Sequence, residues 1–276
     1  ASRRLGLGLA LGETGDEAGE EAECRLVLES HPGHIQAHLS LAQCLARGGR
    51  ADDSIHEFTQ VLELPNDDPP LEEPLLLRLR EAARSSLGKV LGERAQRKQR
   101  KADYQGAAAS LGQLLEVPGL DADTRAKSEA HLATTRARLA QLPEALAAAK
   151  RGVQAATHDG YVGHPDSGVS KPTAAFAVHT LAGVKEAMGD AVATGARDPG
   201  TAATALYMEA KQLYASAHQI LKDPATRMSH GRVQAKAHPG VDWVSDDNLA
   251  PHSAGIHCGG VAKCVTQGAT IEQLSA

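Results

Sequence analysis

The chain has 276 residues, 42% of them hydrophobic but only 3% aromatic, and its 34 acidic and 29 basic side chains leave a net charge of −5. That balance supplies no basic field to condense on phosphates, so nucleic acid is not an expected partner. No apolar run approaches the roughly 20 residues that span a bilayer. Ala and Leu dominate the apolar residues and strand-favouring residues are scarce, which predicts an all-α fold of closely packed helices.

The chain starts Ala1-Ser2-Arg3-Arg4, which suits a mature form after transit-peptide removal or a trimmed chain. The expected location is therefore the cytoplasm or an organelle interior, not a secreted one. Of the four cysteines, Cys24 and Cys44 sit inside helical patterns and read as small buried residues, while Cys258 and Cys264 lie near the C-terminus. This spacing suggests no disulfide framework.

One pattern occurs twice in residues 1–66. Leu7-Gly8, Leu11 and Gly15 recur 34 positions later as Leu41-Ala42, Leu45 and Gly49, and Cys24 and Val27-Leu28 recur as Phe58 and Val61-Leu62. Apolar steps of three and four predict amphipathic helices. Gly48-Gly49 separates two helices, and Pro65 ends the second. A small residue at Gly8 and Ala42 lets the helices of a pair approach closely.

These residues resemble the tetratricopeptide repeat: Leu-Gly/Ala, a large residue three further on, Gly near the turn, a small residue opening the second helix, then an aromatic and Pro. The chain departs from that pattern at the bulky fourth position, which is Arg4 and His38. It departs again at the small residue opening the second helix, which is Glu20 and Ser54.

Asn66 to Pro74 reads as an acidic, proline-containing linker, followed by an extra helical stretch from Leu75 to Arg84. Leu87-Gly88 and Leu91 look like the first half of a third unit. A basic polar insertion, Glu93 to Lys101, precedes its second half at Asp103-Tyr104, Ala107, Leu111, Leu114-Leu115 and Pro118. Leu132-Ala133, Arg136, Ala145, Ala149 and Val153 fit a fourth unit, so residues 1–156 are expected to form the repeat array.

Thr157 to Pro172 is rich in Gly and Pro and predicts an irregular loop. Helical stretches follow at Thr173 to about Gly195 and at Thr201 to Leu221, with Leu181-Ala182 and Gly189-Asp190 suiting a degenerate fifth unit. Asp223-Pro224 stops the last helix. Residues 157–229 thus read as a loop plus a degenerate repeat or J-like helices. Residues 230–276 read as an irregular His/Gly-rich tail with a final helical turn near Thr270 to Leu274. The expected fold is an α-solenoid of four to five helical pairs with an irregular C-terminal tail.

The tetratricopeptide resemblance implies a concave surface lined by the first helix of each pair. In the second unit it would present Gln36, Leu39, Gln43 and Arg47, and in the fourth Lys127, Ala130, Thr134 and Arg138. A guanidinium at Arg47 or Arg138 could fork onto a carboxylate of a partner chain. Leu39 stands where family members that clamp chaperone C-termini need a lysine or asparagine, so that clamp is absent.

Ala215 to Arg227 resembles the end of a J-domain, with a helix running into Leu-x-Asp-Pro-x-x-Arg. However, His164-Pro165-Asp166 lies 57 residues before Asp223, about twice the family spacing. His252, His257, Cys258 and Cys264 are candidate zinc ligands, but they lack a C-x2-C pair and no cofactor is expected. G-x-S-x-G, a Walker loop, a dinucleotide fingerprint and H-E-x-x-H are all missing. The acidic cluster around Trp243, Asp242 to Asp247, reads as a solvated loop with one anchoring aromatic or as a docking motif for a partner.

The expected function is a non-catalytic scaffold that binds another protein or peptide, or subunits of a larger complex. The alternatives are a co-chaperone using the J-like region, and a metal-binding or enzymatic tail.

Overall fold

A helix leaves its last four carbonyls unpaired, and the way they are satisfied decides where the chain goes next. Four times in this chain the same device turns it back. The N–H donors of Asp16, Arg50, Asp103 and Gln141 each reach the carbonyl five residues earlier, on Leu11, Leu45, Lys98 and Arg136, at 2.9 Å. The residue before each donor is left-handed: Gly15 (φ 85°), Gly49 (74°), Ala102 (58°) and Ala140 (58°). This is the Schellman termination, and each one joins two antiparallel helices.

The computed structural model describes residues 2–65, 71–195, 200–222 and 224–237. The four pairs are α1 (Ser2–Glu13) with α2 (Glu17–Ser30), α3 (Ile35–Arg47) with α4 (Ala51–Glu63), α5 (Glu73–Arg100) with α6 (Tyr104–Glu116), and α7 (Ala122–Arg138) with α8 (Leu142–Ala155). They are followed by α9 (Lys171–Gly195), α10 (Gly200–Leu221) and α11 (Pro224–Ala237). The fold is all-α, a solenoid of helix–turn–helix pairs of tetratricopeptide-like form. It falls into two compact units, Ala1–Leu120 and Asp121–Ala276.

In the first unit the 34-residue period survives in the helix boundaries: α1 and α3 end 34 residues apart, as α2 and α4 begin. Leu5, Cys24, Val27, Ala37, Leu41 and Leu45 form a buried seam from the first pair into the second. A Cβ added at Gly8 would sit 3.3 Å from the Glu23 Cβ, so the small residue sets how closely α1 and α2 approach.

The departures from the repeat pattern have physical substitutes. Where a bulky apolar residue is missing, Arg4 reaches Glu23 at 3.4 Å and His38 reaches Glu57 at 2.6 Å, at the same positions of consecutive units. Ser54, fully buried, donates to the Ala42 carbonyl at 2.8 Å. Cys24 and Cys44 are free and buried, and burial pushes the Cys24 thiol up to about 12.

The third pair differs from the sequence expectation. The extra stretch at Leu75–Arg84, the half-unit at Leu87–Leu91 and the basic insertion are one 28-residue helix, α5, with Leu76, Ala83, Leu87, Leu91 and Ala95 buried along it. Arg, Lys and Gln are good helix formers, and the cations in the last turn complement the helix C-terminal carbonyls. The insertion therefore lengthens a helix rather than interrupting one.

In the second unit α9 packs on α7, α8 and α10, and α10 packs on α11. Close approach again rests on missing side chains: a Cβ at Gly189 would lie 2.6 Å from the Tyr207 ring. Residues 230–237 belong to α11, and Val233 and Ala237 are buried, so helix continues past the point where the sequence pattern expects the tail. The remainder of that tail lies outside the described residues. It includes His252, His257, Cys258, Cys264, the Trp243 cluster and the turn near Thr270.

The J-domain resemblance is not supported. His164-Pro165-Asp166 begins a single 3-10 turn between α8 and α9, and two whole helices separate it from Pro224. Leu181 to Val184 lies inside α9, with Leu181, Ala182 and Val184 buried.

α11 is tied down by charge. The buried Glu186 carboxylate accepts from Arg232 at 2.8 and 2.9 Å, from Lys236 at 2.9 Å and from the Tyr214 hydroxyl at 3.0 Å. Lys236 also reaches Asp190 at 2.8 Å. Burial raises the Glu186 pKa, but these donors outweigh it and hold the group at about 2.

Ala102 and Ala140 bear a left-handed strain of about 1–2 kcal/mol each. Replacement by glycine removes that strain but loosens the unfolded chain by about 0.4–1 kcal/mol. Ala102→Gly and Ala140→Gly should therefore each raise the melting temperature by roughly 1–3 °C in calorimetry, while Gly49→Ala lowers it; no rise in either Gly variant would contradict the turn assignment. Acid should act through Glu186. Its pKa is depressed in the folded state, so its contribution is complete above its ordinary value of 4.5 and is lost as pH falls from there towards 2. Acid titration followed by circular dichroism should show a loss of structure in that window that Glu186→Gln abolishes, from a lower starting stability.

Candidate interaction surface

The sequence-predicted contact residues fall on α3 of the first unit and α7 of the second. On α3, Gln36 and Gln43 are half-buried and Leu39 is buried. Arg47 lies half-exposed at the C-terminal end, but its guanidinium is engaged: it pairs with the buried Glu20 on α2 and lies 3.9 Å from Glu17. On α7, Lys127, Thr134 and Arg138 are exposed and Ala130 is buried, with the Thr134 hydroxyl donating to the Ala130 carbonyl at 3.0 Å.

A cluster that sequence reading missed lies at the turn edge of the first unit. The Schellman turn after α3 places Gly49 to Asp53 beside the last two turns of α5. Together with Arg94, Arg97, Lys98 and Lys101 they line a cleft of about 460 Å3. Five cations face two carboxylates there.

Two of the arginines are committed. Arg50 is held by Asp53 at 2.7–2.9 Å and by Glu21 at 2.7 Å, and these bonds raise its pKa. Arg94 meets Asp52 at 2.8 Å. Arg97, Lys98 and Lys101 make no ion pair among the described residues, and Arg97 and Lys101 are exposed. The cleft thus presents three uncommitted cations at the end of a long helix, next to a turn braced by two ion pairs. It can receive carboxylates or other anions of an extended segment. The available signal was the run Glu93 to Lys101, five cations in nine residues of a net-acidic chain. Its pairing with the α3–α4 turn is a tertiary fact that the run alone does not carry.

The fold and this surface define a class: a helical-repeat protein whose exposed features are helix faces and turn edges. No protein-family model and no curated protein sequence matches the chain. Among solved structures it is similar to the TPR2AB domain of yeast Sti1 in a pHSP90 complex, at 13% identity and a TM-score of 0.33, covering 84% of this chain and 98% of that one. At that level the likeness adds nothing to the fold, which the chain's own helix pairs define. No described helix is long and apolar enough to cross a membrane.

The geometry makes Arg47 a structural residue of the α2–α3 seam. Arg47→Ala leaves the buried Glu20 without its partner and should cost about 1–3 kcal/mol, read as a lower denaturation midpoint. Glu20→Gln in the same background should recover part of the loss. Unchanged stability in Arg47→Ala would show that the pair contributes nothing and leave Arg47 as a free surface cation.

Proposed function

We propose that the protein is a scaffold that holds a partner polypeptide, and that an acidic segment of that partner docks in the cleft between the α3–α4 turn and the end of α5. The single observation that carries this reading is the set of cations Arg97, Lys98 and Lys101, which make no ion pair among the described residues and lie beside a braced turn. The excess charge there is one-sided and sits on a regular helix. Such a site gains affinity from Coulomb attraction and from low reorganisation of the receptor. Gln36 and Gln43 on α3, with Leu39 packed behind them, and Lys127, Thr134 and Arg138 on α7 are proposed as further contact positions for the same partner or for a neighbouring subunit of an assembly.

The test is fluorescence anisotropy with the full chain and a labelled Asp/Glu-rich peptide. Binding should weaken as ionic strength rises. Reversing two cations in Lys98→Glu/Lys101→Glu replaces attraction by repulsion worth about 1 kcal/mol per contact even in water, so affinity should drop at least about tenfold while the circular dichroism spectrum is unchanged. Equal affinity in the variant would remove the cleft as the docking site. Tighter binding of a DNA duplex than of the peptide would replace the acidic-peptide reading with a nucleic-acid one.

A further inference from the structure

The segment joining α8 to α9 reads in sequence as an irregular loop, yet it is built. Thr157 pairs with Val162 and His158 with Tyr161 in a two-residue hairpin. Its corner is Asp159-Gly160, with φ of 48° and 81°. Left-handed values at both positions are those of the type I′ turn, for which Asp-Gly is a preferred sequence. The Gly163 N–H donates to the Ala156 carbonyl at 2.9 Å, and a 3-10 turn, Pro165–Ser167, follows at once. Ser167 closes that turn by donating its hydroxyl to the His164 carbonyl at 2.7 Å. Val162 and Val169 pack with Ala126, Ala156 and Ala174, so the loop is anchored to the core of the second unit.

This scaffold brings together three metal-ligating side chains. One donor atom each from His158, His164 and Asp166 lies within 4.8 Å of the others. His164 Nδ1 and Asp166 Oδ2 are 3.6 Å apart. In a tetrahedral zinc site with bonds of about 2.0–2.1 Å, neighbouring ligand atoms are separated by about 3.3 Å. These two are thus already near bonding separation. The His158 and His164 rings lie 5.5 Å apart between centroids, and His158 is partly exposed, so a rotation of its side chain closes the remaining gap. Nδ1 of His164 now receives only a 3.2 Å bond from the Asp166 N–H, a small loss on exchange for a metal bond. Asp159 Oδ2, 3.6 Å from His158 Nε2, is placed to orient that ring from outside.

We propose that this loop is a zinc site, with His158, His164 and Asp166 as the protein ligands and solvent completing the tetrahedron. Two imidazoles and one carboxylate suit Zn2+ rather than Mg2+ or Ca2+, which require sets of oxygen ligands. A three-ligand site with an open position binds water or a donor from another molecule. The site lies in the second unit and is independent of the basic cleft. It also gives His164-Pro165-Asp166 a role that the J-domain resemblance did not.

The test uses the full chain freed of metal with chelator and titrated calorimetrically with ZnCl2. The background is His252→Ala/His257→Ala/Cys258→Ser/Cys264→Ser, which removes the donors of the tail. That background should bind one equivalent of zinc, and Co2+ in its place should give the visible absorption of a tetrahedral site. Adding His158→Ala or His164→Ala should abolish stoichiometric binding, with helicity by circular dichroism unchanged. His164 caps the 3-10 turn, so Asp166→Asn serves as the variant that keeps both rings in place; it should weaken zinc binding at least tenfold. Failure of the background to bind zinc, or retention of one equivalent when His158 and His164 are both replaced, would overturn the proposal.

Discussion

The recurring constraint in this molecule is the carbonyl left open at the end of each first helix. It is closed by a donor five residues on, and only a left-handed residue between them permits that reach. Once the turn is set, the second helix must run back along the first, and the residues that face each other are fixed by their distance from the turn. Gly8 against Glu23, Ser54 against Ala42 and Gly152 against Ala126 are consequences of that register. Two of the four turns use Gly and two use Ala. The strain at Ala102 and Ala140 is tolerated because packing on both sides of the turn over-determines it.

Charge in this structure follows a second rule. Glu20 with Arg47, Glu129 with Arg151, and Glu186 with Arg232 each join a buried carboxylate on one helix to a half-exposed guanidinium on another. The carboxylate bears the larger desolvation and would be left as an unpaired buried charge without its partner, so the pair specifies which helices meet. The arginine lays its methylenes on the apolar surface and keeps its head near water. Against this background the end of α5 stands out. Among the described residues its cations have no buried carboxylate to serve, and their presence is explained only in part by the helix dipole, which needs one or two charges rather than a whole run.

Much of the fold was legible because helical periodicity and turn residues are local. Leu41, Leu45, Phe58 and Val61 announced the second pair, and α9 and α10 fall within a few residues of their expected ends. The third pair was harder to read. Gly88 and the polar run after Leu91 suggest interruption, yet propensity favours helix through Arg100 and the buried positions Leu87, Leu91 and Ala95 continue one stripe. The ion pairs that replace the bulky repeat residue at Arg4 and His38 were invisible, since each needs a partner 19 residues away whose identity no repeat pattern dictates. The candidate sites were less legible still. Arg47 looked free in sequence and is paired. The basic run looked like an insertion between two half-units and lines a cleft.

Both candidate sites sit where the repeat is broken, and there is a physical reason for that. A regular pair commits its apolar face to its neighbours and its polar positions to matching them, which leaves little chemistry unassigned. The basic lengthening of α5 and the hairpin after α8 are additions that packing does not require. Each carries a penalty: α5 concentrates like charges at one end, and the hairpin places Asp159 in a left-handed conformation. If the two additions were mere tolerated insertions, neither would be braced. Instead the cleft is flanked by the Arg50–Asp53 and Arg94–Asp52 pairs, and the hairpin is pinned through Val162 and Val169 into the alanine core between α7 and α9. Rigid placement of otherwise uncommitted polar groups is what a binding site needs, because it lowers the ordering cost of taking a ligand.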